Sequence, residues 1–175
     1  MSYSVGEIGS LCLRAVRGAG HPWGIAEEAS WAVRWLIRAG LPGADALADA
    51  LEAGDLSALT NGIAASDLAK EPARLCPADA MLTLPFLARL APQGQALCYG
   101  SPDFRIARTA CDLTLPDREL ELGQPVAEWP AVLNSRADVS GDVYARLQVF
   151  AARTYAPETE ASRARGAGAG LTDND

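Results

Sequence analysis

The stretch Arg17-Gly18-Ala19-Gly20-His21-Pro22-Trp23-Gly24-Ile25-Ala26-Glu27-Glu28 decides the fold, because it joins two amphipathic segments through a glycine-rich turn. It contains the only histidine of the chain, two adjacent carboxylates and a tryptophan. Glycine commonly follows the last turn of a helix, so the stretch predicts a tight connection between two helices. We therefore expect an N-terminal helical hairpin whose turn carries the candidate functional site.

The helix before this turn is predicted to begin at a capping box. Ser4 and Glu7 have the S-x-x-E spacing in which each side chain accepts a hydrogen bond from the other residue's backbone amide. Apolar residues spaced three and four apart form one stripe toward the core, namely Ile8, Leu11, Cys12, Ala15 and Val16. Arg14 and Arg17 lie in the last turn, and Gly18 is predicted to end the helix in the left-handed conformation.

The second helix is predicted to begin between Trp23 and Ile25 and to end at Gly40. Its buried face consists of Ile25, Ala29, Ala32, Val33 and Leu36. A second stripe holds Glu27, Trp31, Arg34 and Arg38, with Trp35 beside it. The helix is therefore either central to the fold or meets a ligand or another chain with its second face. Trp23, Trp31 and Trp35 are most simply interpreted as core residues, because large aromatics supply much buried area.

Two functional interpretations of the turn compete with structural ones. Gly18 and Gly20 would let backbone amides bind a phosphate or carboxylate, but a tight connection is the more common use of such glycines. A nucleotide fold is not predicted, because the turn follows no strand and contains neither a full G-x-G-x-x-G nor a Walker lysine. His21 would serve as a general base oriented by Glu27 or Glu28, although a lone histidine is more often a turn residue.

Composition narrows the class of protein. With 175 residues and 49% hydrophobic content, the chain suits one globular domain over residues 1–155, followed by a tail over residues 156–175. A net charge of −7 argues against nucleic-acid binding. Without a long apolar run or a signal peptide, we expect no membrane contact and a cytoplasmic location. The four cysteines lack C-x-x-C spacing, so no zinc site is predicted; no metal ligands are assigned, and the cofactor is unknown.

The rest of the chain predicts an α+β fold, in which the helical hairpin and a C-terminal helix pack on a small antiparallel β-meander. A helix is expected over 45–53, an irregular segment from Asn61-Gly62 to Cys76-Pro77, and a strand or loop that leads into a short helix near Pro85. The strands of the meander are expected at 95–99, 104–108, 111–115 and 119–122. The last helix is expected over 142–153, with Ser140 or Asp138 as its cap.

Three segments resemble one bacterial family. They are Tyr3-Ser4-x-x-Glu7-Ile8, the stretch from Arg17 to Ala29, and the ending from Thr154-Tyr155-x-Pro157-x-Thr159-Glu160-Ala161-Ser162-Arg163 through Gly166-Ala167-Gly168-Ala169-Gly170-Leu171-Thr172-Asp173-Asn174-Asp175. The family comprises cytoplasmic proteins common in alphaproteobacteria and is known as a domain of unknown function. The resemblance implies that the histidine position is often tyrosine, which weakens the case for His21 as a general base.

The glycine-rich tail is predicted to be disordered by composition alone, but the resemblance implies a role for it. Alternating glycine and alanine would let the backbone around Gly168 pass close to a ligand. Asp173 and Asp175 offer oxygen atoms to magnesium, to calcium or to a basic pocket. Our hypothesis is that the tail folds back near Arg14 and Arg17, held by Glu160 and Arg163. The predicted ligand-binding residues are therefore Arg17, Gly18, Gly20, Trp23, Gly24, Glu160, Arg163, Gly168, Asp173 and Asp175.

Two classes of function follow from these residues. The first is a binding protein or enzyme for a small anionic metabolite, a carboxylate or amide, with proton transfer by Glu27, Glu28 or His21. The second is a non-catalytic accessory subunit that docks on a larger enzyme, or on a second copy of itself, through the tryptophan-rich second helix and the tail. A helix-turn-helix regulator is disfavoured, because the connection is longer than the usual ~3–4 residues and no arginine cluster follows it.

Overall fold

Six α-helices and seven short strands form the part of the chain that the computed structural model describes, residues 2–76, 80–100, 103–112 and 114–155. The helices are α1 (Val5–Gly18), α2 (Trp23–Arg38), α3 (Gly43–Ala53), α4 (Ser57–Asp67), α5 (Leu84–Leu90) and α6 (Gly141–Ala151). The strands are β1 (Ser2–Ser4), β2 (Arg74–Leu75), β3 (Gln95–Tyr99), β4 (Phe104–Ile106), β5 (Leu120–Glu121), β6 (Val126–Ala127) and β7 (Arg136–Asp138). The predicted α+β class is confirmed. None of the helices within these ranges has the length and hydrophobicity needed to cross a membrane.

The helical hairpin of α1 and α2 forms as predicted. The Ser4 amide donates to Glu7 Oε2 at 2.7 Å, and the Glu7 amide donates to Ser4 Oγ at 3.1 Å, so the capping box is confirmed. Inside the hairpin the buried Ser30 hydroxyl donates to the Gly9 carbonyl at 2.8 Å, which satisfies a polar group between the two helices. Helix α2 also contacts α3, α5 and β7, so it is central to the fold.

The end of α1 differs from the prediction at Gly18. This residue is the last of the helix, and the left-handed position belongs to Gly20, at φ +96°. Gly18 is required for a different reason, because a Cβ there would lie 1.9 Å from the Phe150 carbonyl oxygen of α6. The glycine therefore lets the C-terminal end of α6 pack directly on the end of α1.

From the sequence, the C-terminal helix is expected to pack on the meander. It packs instead mainly on α1 and α3. Ser140 caps it by accepting a hydrogen bond from the Val143 amide at 3.2 Å, as predicted. Tyr144 stacks on Tyr3 with ring centroids 4.8 Å apart, and Arg146 donates to Asp49 and Glu52 of α3. A 3₁₀ turn over Ala152–Thr154 continues the helix. Helix α6 packs at this position because the apolar stripe of α1 contacts α2 on one side and α6 on the other.

The antiparallel meander forms only in part. Strand β3 lies between β4 and β6, and β1 pairs with β7 in a separate ladder. The expected strand over 111–115 is reduced to a single bridge between Cys111 and Ile106, and residue 113 lies outside the described residues. Asp112 explains the early end, because its carboxylate accepts hydrogen bonds from both the amide and the guanidinium of Arg105. The expected strand over 119–122 becomes β5, which pairs with β2.

Helix α4 replaces only the first part of the irregular segment expected over 61–77, because the helix ends at Asp67. The dipeptide is a turn signal in isolation, but here it lies inside the helix. A Cβ at Gly62 would lie 2.7 Å from the Phe86 ring, so the glycine allows α4 to approach α5 closely. Tertiary packing therefore overrides the local preference. Pro85 lies in the first turn of α5, as expected.

Candidate functional site

A cleft of about 420 Å³ opens where the end of α1, the start of α2 and the turn after α6 meet. We call it the arginine cleft and define it by its lining residues, Leu13, Arg14, Arg17, Gly18, Trp23, Arg153 and Thr154. Three of the predicted ligand-binding residues line it, namely Arg17, Gly18 and Trp23. The cleft thus brings together three of the five ligand-binding residues that the sequence predicts in its N-terminal stretch.

The backbone geometry explains how three arginines come to share this cleft. Arg14 and Arg17 are three residues apart on α1 and therefore lie on the same face of the helix. Arg153 belongs to the turn after α6, and its Cβ lies 3.4 Å from where a Cβ of Gly18 would be. The close approach of α6 at Gly18 therefore places Arg153 opposite the two arginines of α1.

None of these three arginines has a carboxylate partner within the described residues. The Arg17 guanidinium donates to the His21 carbonyl at 2.6 Å and lies 6.0 Å from the Trp23 ring centroid. Arg153 lies 4.6 Å from the Phe150 ring. Outside the cleft, some arginines donate to backbone carbonyls, such as Arg34 and Arg108, and others form ion pairs with carboxylates, namely Arg74, Arg89, Arg105, Arg118 and Arg146. The cleft is therefore locally positive in a chain whose net charge is −7.

The backbone amides of the turn are occupied by the helix itself. The Ala19 amide donates to the Ala15 carbonyl at 2.9 Å, and the Gly20 amide donates to the Arg17 carbonyl at 3.0 Å. The His21 amide donates to the Val16 carbonyl at 3.3 Å. These bonds favour the interpretation of Gly18-Ala19-Gly20 as a tight connection. Any anion bound at the cleft would therefore contact the arginine side chains or the first amides of α2, and not the amides of residues 19–21.

The three predicted acid–base residues have different surroundings. Glu28 accepts a hydrogen bond from Arg89 at 2.7 Å, and Arg89 in turn lies 3.6 Å from the Trp31 ring. Glu27 is exposed on α2, and His21 is half-exposed on the turn. Among the described residues, no hydrogen bond joins the histidine ring to either glutamate. Their catalytic roles stay a prediction, with Glu28 already engaged in an ion pair.

The tryptophans of α2 divide into one exposed residue and two packed ones. Trp35 is buried and donates to the Arg108 carbonyl at 2.8 Å, whereas Trp31 is half-buried against Phe86. Trp23 is 57% exposed, so its interpretation as a core residue is wrong. It is the first residue of α2, and its ring lines the arginine cleft instead of the hydrophobic core.

None of the three buried cysteines, Cys12, Cys98 and Cys111, is an activated nucleophile. Burial raises the pKa of Cys12 and of Cys111 to about 12, and it also raises the pKa of Cys98. These thiols are therefore protonated near neutral pH. Within the ranges that the structure covers, no three His, Cys, Asp or Glu side chains are grouped as a metal site would require.

Part of the predicted site falls on the tail, which lies outside the described residues. This holds for Glu160, Arg163, Gly168, Asp173 and Asp175. Two other predicted residues, Gly20 and Gly24, do not line the cleft, and a Cβ added at either would have no atom within 4 Å. The sequence does not predict Arg153 as a site residue, because its place opposite Arg14 depends on the docking of α6. Its position just before the tail is the only signal in the sequence.

Comparison with known families covers the N-terminal part of the chain. Residues 3–81 match the model of a family described as protein of unknown function (DUF3726). This match confirms the resemblance to a domain of unknown function, and it includes the hairpin and the whole Arg17–Glu28 stretch. No curated protein and no solved structure matches the chain.

Proposed function

We propose that the protein binds a small carboxylate ligand in the arginine cleft. The observation that carries this proposal is that Arg14, Arg17 and Arg153 line one cleft and have no carboxylate partner among the described residues. Uncompensated like charges repel one another, so a shared anion stabilises their arrangement. Arginine binds planar carboxylates through two parallel hydrogen bonds, which suits this chemistry better than a single point charge would.

The size and lining of the cleft support a small ligand. Its volume of about 420 Å³ lies in the range of typical ligand sites, roughly 300–1,000 Å³. Trp23 and Leu13 supply apolar lining, while the three arginines supply positive charge. The amides of residues 19–21 already donate to helix carbonyls, so the Gly18–Gly20 turn offers no set of free backbone donors to a phosphate. A carboxylate with a short apolar body is therefore the ligand class that the cleft suits best.

Proton transfer within this function would fall to Glu27. It lies four residues after Trp23, which places it on the same face of α2 as the tryptophan that lines the cleft. Glu28 is held by Arg89 at 2.7 Å and points its carboxylate to α5. Glu27 is thus the best placed of the three predicted acid–base residues for a ligand in the cleft, and His21 is second.

Substitution of the arginines tests the binding function. With succinate as the probe, and with Glu158→Gln and Glu160→Gln in the background so that no nearby tail carboxylate competes, we expect Arg14→Gln and Arg17→Gln each to weaken binding about tenfold or more, because a hydrogen bond to a charged group contributes roughly 1.5–3 kcal/mol. Arg38→Gln is the matched control, since Arg38 is an exposed arginine at the other end of α2. Isothermal titration calorimetry measures the affinities of these three variants and of the otherwise unsubstituted chain. Equal affinities in all variants, or no binding by the otherwise unsubstituted chain, would contradict the proposal.

A second candidate function is docking on a larger protein. The exposed Trp23 beside two arginines favours it, because tryptophan and arginine are enriched at the centres of protein interfaces. Native mass spectrometry of the protein from its own host separates the two functions. A bound small anion supports the first, whereas a co-purified chain that is lost on Trp23→Ala substitution supports the second.

A further inference from the structure

The described chain ends at the rim of the arginine cleft. Thr154 lines the cleft itself. Tyr155 lines an adjoining cavity of about 260 Å³ that shares Arg14 with it. The tail, residues 156–175, therefore begins beside the three arginines whatever path it takes afterwards.

The first acidic residues of the tail are within reach of those arginines. Glu158 and Glu160 follow Tyr155 by three and five residues. An extended chain spans at most about 3.3–3.6 Å per residue, so the Cα atoms of Glu158 and Glu160 lie no farther than about 11 Å and about 18 Å from that of Tyr155. A tether this short gives the two carboxylates a high effective concentration, on the order of millimolar, at the cleft.

Charge is complementary between the two parts. The cleft holds three guanidinium groups without carboxylate partners among the described residues, and the nearest charges of the tail are the two glutamates. Arg163 and Arg165 come later, beyond the stretch that reaches the cleft first. Glutamate side chains present the same planar carboxylate that the proposed ligand would present.

We propose that Glu158 and Glu160 bind the arginine cleft of the same chain and thereby compete with free carboxylate ligands. This inference rests on the proposed function for the identity of the competing ligand. The contact between the tail and the cleft does not depend on the proposed function. The tail then acts as an intramolecular competitor, and only the fraction of molecules with a vacant cleft binds a ligand. The apparent dissociation constant rises by the inverse of that fraction.

The first test compares succinate affinity in full-length variants. We expect Glu158→Gln combined with Glu160→Gln to tighten succinate binding about tenfold, the factor for a cleft that the tail fills about nine-tenths of the time. The matched control is Asp67→Asn combined with Asp117→Asn, which removes the same charge from two exposed positions outside the cleft. The control is expected to leave the affinity unchanged. Equal affinity in the tail variant and the unsubstituted chain would overturn the inference and leave the binding function standing.

The second test needs no ligand. Trypsin cleaves after Arg163 and Arg165, and a bound tail slows this cleavage. We expect Arg14→Gln combined with Arg17→Gln to release the C-terminal fragment about tenfold faster, with Arg38→Gln as the unchanged control. Equal cleavage rates would overturn the inference, as would protection that increases with protein concentration, because the tail would then bind a second copy. Slower cleavage in the unsubstituted chain without any succinate binding would uphold the tail contact and overturn the binding function.

Discussion

Replacing Gly18 with alanine is expected to lower the free energy of unfolding by about 3 kcal/mol, at the upper end of the usual cost of overpacking. The added Cβ would lie 1.9 Å from the Phe150 carbonyl oxygen and 2.8 Å from its carbonyl carbon. Both atoms belong to the backbone of α6, so no side-chain rotation relieves the overlap. The helices must separate, and this cost exceeds the gain of about 1 kcal/mol from alanine's higher helix propensity. Urea denaturation followed by circular dichroism measures the change.

Gly24→Ala is the matched control for this prediction. Gly24 also lies in a helix, but a Cβ there would have no atom within 4 Å. Alanine at this position is therefore expected to raise the free energy of unfolding by up to about 1 kcal/mol. If the two substitutions change stability in the same direction, the close contact between α1 and α6 is not as described.

Replacing Phe86 with alanine is expected to destabilise the protein by about 3–5 kcal/mol, the usual cost of removing a buried phenylalanine. The Phe86 side chain is fully buried and lies at the junction of α2, α4 and α5. Its ring centroid is 5.4 Å from that of Trp31, and it packs against Gly62 of α4. The substitution leaves a cavity that the two adjoining helices cannot close. Thermal or urea unfolding measures the loss.

Leu68→Ala provides the contrast on the same side of the molecule. Leu68 follows α4 directly and is 74% exposed, so its truncation is expected to change stability by no more than about 0.5 kcal/mol. A loss below about 1 kcal/mol for Phe86→Ala would show that α4 does not pack on α5 through this ring.

The helices that the sequence predicts well are those whose ends are set by nearby residues. Ser4 with Glu7 and Ser140 with Val143 form hydrogen bonds three residues apart, and these local bonds mark where α1 and α6 begin. The apolar stripes of α1 and α2 likewise depend only on helical spacing. These features depend only on residues that are close together in the sequence, so they can be predicted from a single sequence.

The features that the sequence does not predict depend on contacts between distant residues. Helix α4 includes Asn61-Gly62 because Gly62 meets Phe86 of a later helix. The meander ends early because Asp112 binds Arg105 across the hairpin. Gly18 lines the cleft, and its predicted role in ligand binding stays a prediction; the glycine is needed for the approach of α6 and not for a left-handed conformation.

In the candidate site, too, the sequence predicts the residues of one local stretch but not the residue that a distant contact adds. The contiguous stretch predicts Arg17 and Trp23, which line the cleft, and suggests a nearby role for Arg14. Arg153 joins them only because α6 packs on the end of α1, which no local pattern indicates. The contribution of Glu160, Arg163, Gly168, Asp173 and Asp175 stays a prediction, since these residues lie outside the described ranges.

Nuclear magnetic resonance of the ¹⁵N-labelled full chain, titrated with succinate, tests the proposed binding function most directly. It observes the arginine Nε–Hε and tryptophan indole signals of individual residues. We predict saturable shifts for Arg14, Arg17, Arg153 and Trp23, with Arg38 and the buried Trp35 unchanged. Shifts that do not saturate, or that appear at Arg38 as strongly as at Arg14 and Arg17, would contradict a carboxylate site in the arginine cleft.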